Sequence, residues 1–163
     1  MRSAPDPDRW ATVYRGAYPS VYRALVATLL DQDGAADALH EAFVEALRRP
    51  PRTDENVAGW LFRIALRKAR RDRRRLGRIL VSLFAGWSEP RGVDELDRVL
   101  DRISIGELLR LLTERQRAIV VAYYYLDLTQ QDIAELLGIR RGTVAATLAH
   151  ALARMRQGGI HVV

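Results

Sequence analysis

The segment from Thr129 to Leu148 constrains the fold more than any other part of the chain. Thr129 and Asp132 have the spacing of a capping box at the start of a helix. Ala134 is small enough for two helices to cross closely, and Gly138 can adopt the positive φ that a tight turn requires. The apolar residues that would bury the facing sides of two helices are Ile133, Leu137, Ile139, Val144 and Leu148. The small residue, the glycine and the apolar residues are therefore all placed as a helix-turn-helix requires.

The second helix of such a motif enters the major groove of DNA with its N-terminal residues toward the bases. Its outward polar residues, and hence the candidate DNA contacts, are Arg140, Arg141, Thr143, Thr147 and His150. Arginine can donate two hydrogen bonds to guanine, and threonine can contact a phosphate or a thymine methyl group. A helical hairpin that binds no DNA is the alternative interpretation of the same spacing.

The rest of the chain also shows helical spacing of apolar residues without strand-like alternation, so an all-α fold is predicted. Pro19 predicts the end of one helix and the start of the next. Asp33 predicts the N-cap of a third helix, which Pro50–Pro51 ends, and Asp54 or Asn56 predicts the start of a fourth. The third helix is expected to bury Ala36, Leu39, Phe43, Ala46 and Leu47. The fourth is expected to bury Val57, Trp60, Leu61, Ile64 and Ala65.

The fourth helix continues into a strongly basic segment. Nine lysines and arginines lie between Arg63 and Arg78, against the single acid Asp72, whereas the whole chain has a net charge of +6. A local field of this kind attracts polyanions, with nucleic acid as the first candidate and an anionic membrane surface as the second.

The chain is expected to form two small helical domains, 1–76 and 93–163, joined by a linker over 77–92. The glycines and proline that mark the join are Gly77, Gly86, Pro90 and Gly92. The apolar residues within it, between Ile79 and Trp87, either dock onto a domain or meet a partner protein. In the second domain, Thr113 is expected to cap a helix over Glu114–Tyr125.

Several function classes are disfavoured by composition. The absence of cysteine excludes disulfides, thiolate metal sites and cysteine nucleophiles. The chain has three histidines and neither a glycine-rich phosphate loop nor a His-Glu-x-x-His motif, so no enzyme activity, cofactor or metal is expected. Every apolar stretch falls well short of the ~18 residues that would span a bilayer, and the N-terminus lacks a secretory pattern. A cytoplasmic location without membrane insertion is expected.

The first domain contains the segments Ala35–Leu47 and Trp60–Ala65, followed by the arginine run, and the second contains Leu112–Arg117, Asp132–Ile139 and Gly142–Val144. In these segments the two domains resemble the extracytoplasmic-function (ECF) sigma factors of the sigma-70 superfamily. The segments of the first domain are similar to region 2 of that family, and those of the second are similar to region 4. The resemblance extends over nearly the whole chain, with the two regions in the family's order.

The resemblance implies an RNA polymerase sigma factor that directs promoter recognition and transcription initiation. Region 2 would bind the β′ clamp helices of core polymerase through Asp37, His40, Glu41 and Phe43. It would melt the −10 element through Trp60, Arg63, Arg67, Lys68, Arg70, Arg71, Arg74 and Arg75. Region 4 would bind the β flap and read the −35 element of promoter DNA through the helix-turn-helix residues named above. An anti-sigma protein is left open as a further partner.

Three positions depart from the family pattern. His40 replaces a usual glutamine, Arg67 replaces a common asparagine, and Ala145–Thr147 replaces a frequent Lys-Ser-Arg. Two alternatives therefore remain beside the sigma factor. One is a helix-turn-helix regulator that acts without polymerase, and the other is a degenerate sigma-like protein that binds polymerase but selects promoters weakly.

Overall fold

The computed structural model describes residues 7–51, 56–83 and 103–159. Within these residues the chain forms seven helices and no strand, so the all-α prediction is confirmed. The helices are α1 (Pro7–Leu29), α2 (Gln32–Arg48), α3 (Val57–Leu83), α4 (Ile103–Arg110), α5 (Glu114–Tyr124), α6 (Gln130–Leu137) and α7 (Arg141–Gly159). Helix α3 continues several residues into the predicted linker, and the remainder of that linker lies outside the described residues.

Helix α1 is one continuous helix of 23 residues, so the predicted break at Pro19 is wrong. Proline cannot donate the backbone hydrogen bond of a helix interior. Side-chain packing on both sides of Pro19 offsets the missing hydrogen bond. Tyr18 stacks on Tyr22, with 5.8 Å between the ring centroids. Tyr14 packs edge-on against Phe43 of α2 at 4.2 Å. Burial raises the pKa of the Tyr18 hydroxyl above its ordinary value, and the neighbouring Tyr14 and Tyr22 raise it further.

Helix α2 is capped by Asp31 and not by Asp33, which corrects the prediction. The Asp31 side chain accepts a hydrogen bond from the backbone N–H of Gly34 at 3.0 Å. Asp31 has the extended backbone of an N-cap, whereas Asp33 lies exposed in the first turn of the helix. Its carboxylate still faces the positive end of the helix dipole there. The two aspartates are two residues apart, and only backbone conformation distinguishes their roles.

Helix α3 packs against both α1 and α2, which also contact each other, and it supplies much of the core. Asn56 starts it, because its Oδ1 accepts from the N–H of Gly59 at 2.9 Å. Leu61 and Ala65 are buried as predicted, while Trp60 is half-buried. Phe62 and Leu66 are also buried, with 0% and 1% of their surface exposed, and were missed. A helix covered from two sides buries more than one stripe of residues.

Helix α5 ends one residue before the predicted boundary at Tyr125. Thr113 caps α5 and exchanges two hydrogen bonds with Gln116, at 3.0 and 3.2 Å. Thr129 caps α6 and exchanges the same two bonds with Asp132, at 3.0 and 3.1 Å. Both caps are confirmed. Helix α5 packs against α1, so the buried residues of α1–α3 and of α4–α7 form one continuous apolar cluster.

Candidate nucleic-acid interface

The turn between α6 and α7 has the geometry of a helix-turn-helix. Gly138 adopts a left-handed conformation, with φ 64° and ψ 40°, as predicted. The N–H of Ile139 donates to the carbonyl oxygen of Ala134 at 2.9 Å and closes the turn. Ile133 and Val144 are fully buried between the helices. This packing leaves the first turn of α7 exposed.

The first turn of α7 presents the predicted DNA-contacting residues to solvent. Arg140, Arg141 and Thr143 are exposed, and so is His150 two turns further on, while Thr147 is half-buried. The backbone N–H groups of a first helical turn lack partners within the helix, and the helix dipole is positive there. Two arginines add full charges to the same end. The surface therefore suits an anionic group such as a phosphate.

The basic residues of α3 follow one face of the helix at spacings of three and four residues. Arg63, Arg67, Arg71, Arg74 and Arg75 are exposed, and Lys68 and Arg70 are half-buried. Most of these side chains line a cleft of about 450 Å³ whose opposite wall is the end of α6, from Glu135 to Gly138. The structure thus places the arginine face of α3 across a cleft from the turn of the helix-turn-helix. Sequence spacing does not predict that juxtaposition.

Not all basic residues of α3 are free of protein partners. Arg70 Nε lies 3.0 Å from one carboxylate oxygen of Glu114, and an Arg73 guanidinium nitrogen lies 2.9 Å from the other. Arg73 also donates to the carbonyl oxygen of Leu29 at 2.9 Å and lies 3.4 Å from Asp31. Arg73 was not among the predicted DNA contacts. The contact of Glu114 with Arg70 and Arg73 was not predicted. In the sequence, Glu114 is only an acidic residue in the first turn of a helix, which is a common position for such residues.

Trp60 borders a second small cleft on the other side of this basic face. The cleft has a volume of about 310 Å³ and is lined by Glu45, Trp60, Arg63, Ile64, Arg67, Lys68 and Arg71. An aromatic ring beside several guanidinium groups is the combination that holds unstacked bases and their phosphates. Of the predicted −10 residues, the structure therefore groups Trp60, Arg63, Arg67, Lys68 and Arg71 around one opening.

The predicted polymerase contacts on α2 divide into surface and core. Asp37, His40 and Glu41 are exposed on one face, and Glu41 lies 3.2 Å from the Lys68 ammonium group. Phe43 is 7% exposed and packs against α1, so its ring belongs to the core. Leu47 was expected to be buried, but 52% of its surface is exposed. Val44 on the same face is also exposed, at 38%. These two apolar side chains extend the acidic face and were missed as surface residues.

The described residues contain no group of three histidine, aspartate or glutamate side chains placed to hold a metal ion. Among the helices that the structure describes, none combines the length and apolar character needed to cross a bilayer.

An exposed basic helix and a helix-turn-helix in one all-helical chain are features typical of a DNA-binding protein. The pattern "Sigma-70 region 2" matches residues 13–79, and "Sigma-70, region 4" matches residues 102–155. The "ECF RNA polymerase sigma factor SigL" of Mycobacterium tuberculosis is 30% identical over 132 residues, which cover 77% of this chain and 75% of the relative. The chain belongs to the ECF sigma factors, and its function is that of an RNA polymerase sigma factor.

Other known proteins agree with this assignment. The "ECF RNA polymerase sigma factor RpoE" of Cereibacter sphaeroides is 32% identical over 105 residues, covering 63% of this chain and 58% of the relative. The sigma factor RpoE from Bartonella quintana, solved with the anti-sigma factor NepR, has a TM-score of 0.74 at 17% identity and covers 92% of this chain and 96% of its own. CnrH, solved with the cytosolic domain of CnrY, has a TM-score of 0.62 at 20% identity, with coverages of 94% and 88%. The two structures support the fold.

Proposed function

We propose that this chain binds core RNA polymerase through α2 and directs it to promoters, with α3 at the −10 element and α7 at the −35 element. The chain catalyses no reaction itself and acts in the cytoplasm, where polymerase and DNA are found. The observation that carries the proposal is the combination of an arginine face on α3 with an exposed arginine pair at the start of α7, in a chain of this family.

The −10 assignment rests on the surface of α3. Strand separation leaves unstacked bases and two backbones that must be kept apart. Aromatic rings can stack on such bases while arginines bind the phosphates. Trp60 lies among Arg63, Arg67 and Arg71 around one cleft, which is the combination required. Arg74 and Arg75 continue the basic face by about one helical turn.

The −35 assignment rests on the first turn of α7. Arg140 and Arg141 are the long exposed side chains at that end of the helix, and Thr143 adds a hydroxyl group. Guanidinium groups can read guanine in the major groove or bind phosphate. Ala145 and Ala146 offer no hydrogen-bonding group, so we assign readout to the first turn alone.

The polymerase assignment rests on α2. Asp37, His40 and Glu41 form an exposed polar face, and Val44 and Leu47 place apolar surface beside it. A protein interface commonly combines an apolar centre with a polar rim. We assign the β′ clamp helices to this face and the β flap to the second group of helices, α4 to α7. An anti-sigma protein is a further expected partner, since the sigma factor RpoE from Bartonella quintana named above was solved with one.

The deciding experiment is run-off transcription with purified core polymerase. The templates are a pool with randomised −35 and −10 segments, each joined to a transcribed downstream barcode, and sequencing the barcodes of the transcripts identifies the templates that were used. A sigma factor yields transcripts from templates that are enriched in particular sequences at both segments. A helix-turn-helix regulator acting without polymerase yields none above core alone. A degenerate sigma-like protein binds core but enriches no −35 sequence. Arg154→Ala, on the far part of α7, serves as a matched control for Arg141→Ala, which should change the −35 sequences recovered.

A further inference from the structure

We propose that the structure is a closed state in which Glu114 occupies part of the arginine face of α3, so that Glu114 and DNA compete for the same guanidinium groups. This inference rests on the proposed function and adds a regulatory contact to it. The contact comprises Arg70, Arg73 and Glu114 and is named the Glu114 latch.

The latch uses both oxygens of one carboxylate. Arg70 Nε is 3.0 Å from Oε1 of Glu114, and a terminal nitrogen of Arg73 is 2.9 Å from Oε2. Arg70 and Arg73 are three residues apart on α3 and so share a face. The three side chains retain between 29% and 39% of their surface exposed. The Thr113 cap fixes Glu114 in the first turn of α5. A carboxylate held there occupies the place where a phosphate would bind.

The same closed arrangement brings the two DNA-contacting elements together. Arg67 and Arg71 of α3 and Gly138 of the helix-turn-helix line one cleft of about 450 Å³. Helix α7, which would read the −35 element, begins at Arg141, three residues after Gly138. Both proposed DNA surfaces thus approach a single opening.

Promoter geometry is incompatible with this arrangement. Elements named −35 and −10 are about 25 base pairs apart, or ~85 Å at ~3.4 Å per base pair. Helix α3, the longest helix described, has 27 residues and is about 40 Å long, which is less than half of this separation. An Arg70–Glu114 pair cannot persist while α3 and α7 occupy sites so far apart. The 19 residues between Leu83 and Ile103 could span about 65 Å at full extension, and this reach together with the length of α3 allows the separation.

Opening must also break contacts outside the latch. Asn56 Nδ2 donates to the carbonyl oxygen of Leu126 at 3.3 Å, and Leu128 packs against the backbone of Gly59. Arg117 of α5 donates to the carbonyl oxygen of Thr28. DNA phosphates can take the place of the Glu114 carboxylate, but they do not replace these contacts. The latch therefore shifts the equilibrium between closed and open chains and makes that equilibrium sensitive to salt and to polyanions.

The first readout is the separation of the two helix groups in the full-length chain. The natural sequence has no cysteine, so Arg48→Cys on α2 and Ala153→Cys on α7, both exposed, take one dye each. Single-molecule energy transfer should show the Glu114→Gln variant with an open population about three- to tenfold larger than the parent. Glu114→Asp, which keeps the charge but is too short for both arginines, should shift the population in the same direction. Asp33→Asn removes an equal charge from the first turn of α2 and should leave the distribution unchanged.

The second readout is binding of a mixed-sequence single-stranded oligonucleotide by the free chain, followed by fluorescence anisotropy. Glu114→Gln should tighten binding about three- to tenfold, since it releases Arg70 from its carboxylate partner and leaves Arg73 with only its contacts to Leu29 and Asp31. Asp33→Asn should tighten it by less than about twofold through net charge alone. Equal effects of the two substitutions would show that net charge explains the change and would overturn the latch.

The latch and the proposed function fail in different ways. If the unsubstituted chain supports run-off transcription while Glu114→Gln alters neither energy transfer nor oligonucleotide binding, the latch is wrong and the function stands. If the unsubstituted chain supports no transcription with core polymerase, the proposed function is wrong whatever the energy transfer shows. Circular dichroism of each variant establishes that the comparison is between folded chains.

Discussion

Arg117 of α5 donates a hydrogen bond through Nε to the backbone carbonyl oxygen of Thr28, at 2.8 Å, near the C-terminal end of α1. The last carbonyl groups of a helix have no partner within it. Helix α1 has no basic residue in its own last turn, and the guanidinium group of Arg117 supplies the positive charge and the hydrogen bond at this end of the helix. A second nitrogen of Arg117 donates to the carbonyl oxygen of Leu112. One buried guanidinium group therefore joins the two groups of helices.

We predict that Arg117→Met lowers the free energy of unfolding by about 2 kcal/mol, because two buried carbonyl groups lose charge-assisted hydrogen bonds. Urea denaturation of the full chain measures the change. Arg117→Lys keeps the charge but cannot reach both carbonyls in the same geometry, and an intermediate loss is expected. An unchanged midpoint for Arg117→Met would contradict the role assigned to this side chain.

Gly138 and Gly142 form a matched pair, because an added Cβ at either position would meet nothing within 4 Å. Gly138 has a φ of 64°, whereas Gly142 lies in the first turn of α7. Gly138→Ala should destabilise the chain by about 1–2 kcal/mol, since alanine disfavours the left-handed region. Gly142→Ala should stabilise it by roughly 0.5–1 kcal/mol, since alanine is the better helix former. Thermal denaturation measures the change in stability for each variant. If both substitutions changed the stability in the same direction, the left-handed turn assigned to Gly138 would be contradicted.

The arginine face of α3 should determine how strongly DNA binding depends on salt. Replacing Arg67 and Arg71 by glutamine should reduce the slope of log K against log salt by about 0.7–0.9 for each phosphate that is no longer neutralised. Holoenzyme titrated onto promoter DNA over a range of salt concentrations measures the slope. Arg48→Gln with Arg49→Gln, exposed at the end of α2, removes the same charge elsewhere. If both double variants reduce the slope equally, the face is solvated surface and does not bind DNA.

Arg141 should read the −35 element. Arg141→Ala should cost about 1–3 kcal/mol of binding and relax preference at one or two base pairs if the side chain contacts a base. A phosphate contact would weaken all sequences alike. Binding of holoenzyme to a panel of −35 variants distinguishes these results, with Arg154→Ala as the control. No change for either Arg140→Ala or Arg141→Ala would favour the degenerate sigma-like protein.

Glu41 should contact core polymerase. Glu41→Lys reverses an exposed charge and should weaken association with core by about tenfold, the order of an interface charge pair. The substitution also breaks the ion pair between Glu41 and Lys68, but exposed ion pairs contribute little stability. Lys68→Gln breaks the same pair without changing Glu41 and therefore serves as the control. Phe43→Ala should instead lower the free energy of unfolding by about 3 kcal/mol, since the ring is buried. Unchanged core affinity in folded Glu41→Lys would count against the interface on α2.

Local signals predicted the parts of the fold that short-range chemistry decides. The Thr113 and Thr129 caps and the Gly138 turn depend on residues within three or four positions of each other, and all three are confirmed. The break at Pro19 was wrong because side-chain packing on both sides of the proline outweighs one missing hydrogen bond. Phe62 was missed because its burial depends on two neighbouring helices and not on the pattern of α3 alone.

The candidate site was predictable in its parts but not in its arrangement. A run of arginines and a helix-turn-helix are both visible in the sequence. Glu114 is separated from Arg70 by 44 positions and from Arg73 by 41, so nothing in the local pattern relates them. Charge density identifies a surface for polyanions but gives no indication of which carboxylate lies against it in the folded chain.

Gly59 offers a way to adjust that arrangement without altering any charged residue. A Cβ added to Gly59 would collide with the side chain of Leu128 and crowd Asn56. One methyl group at this position would force the Leu128 side chain to move. Gly59→Ala would therefore change a contact between the two groups of helices without replacing any side chain that we assign to promoter DNA.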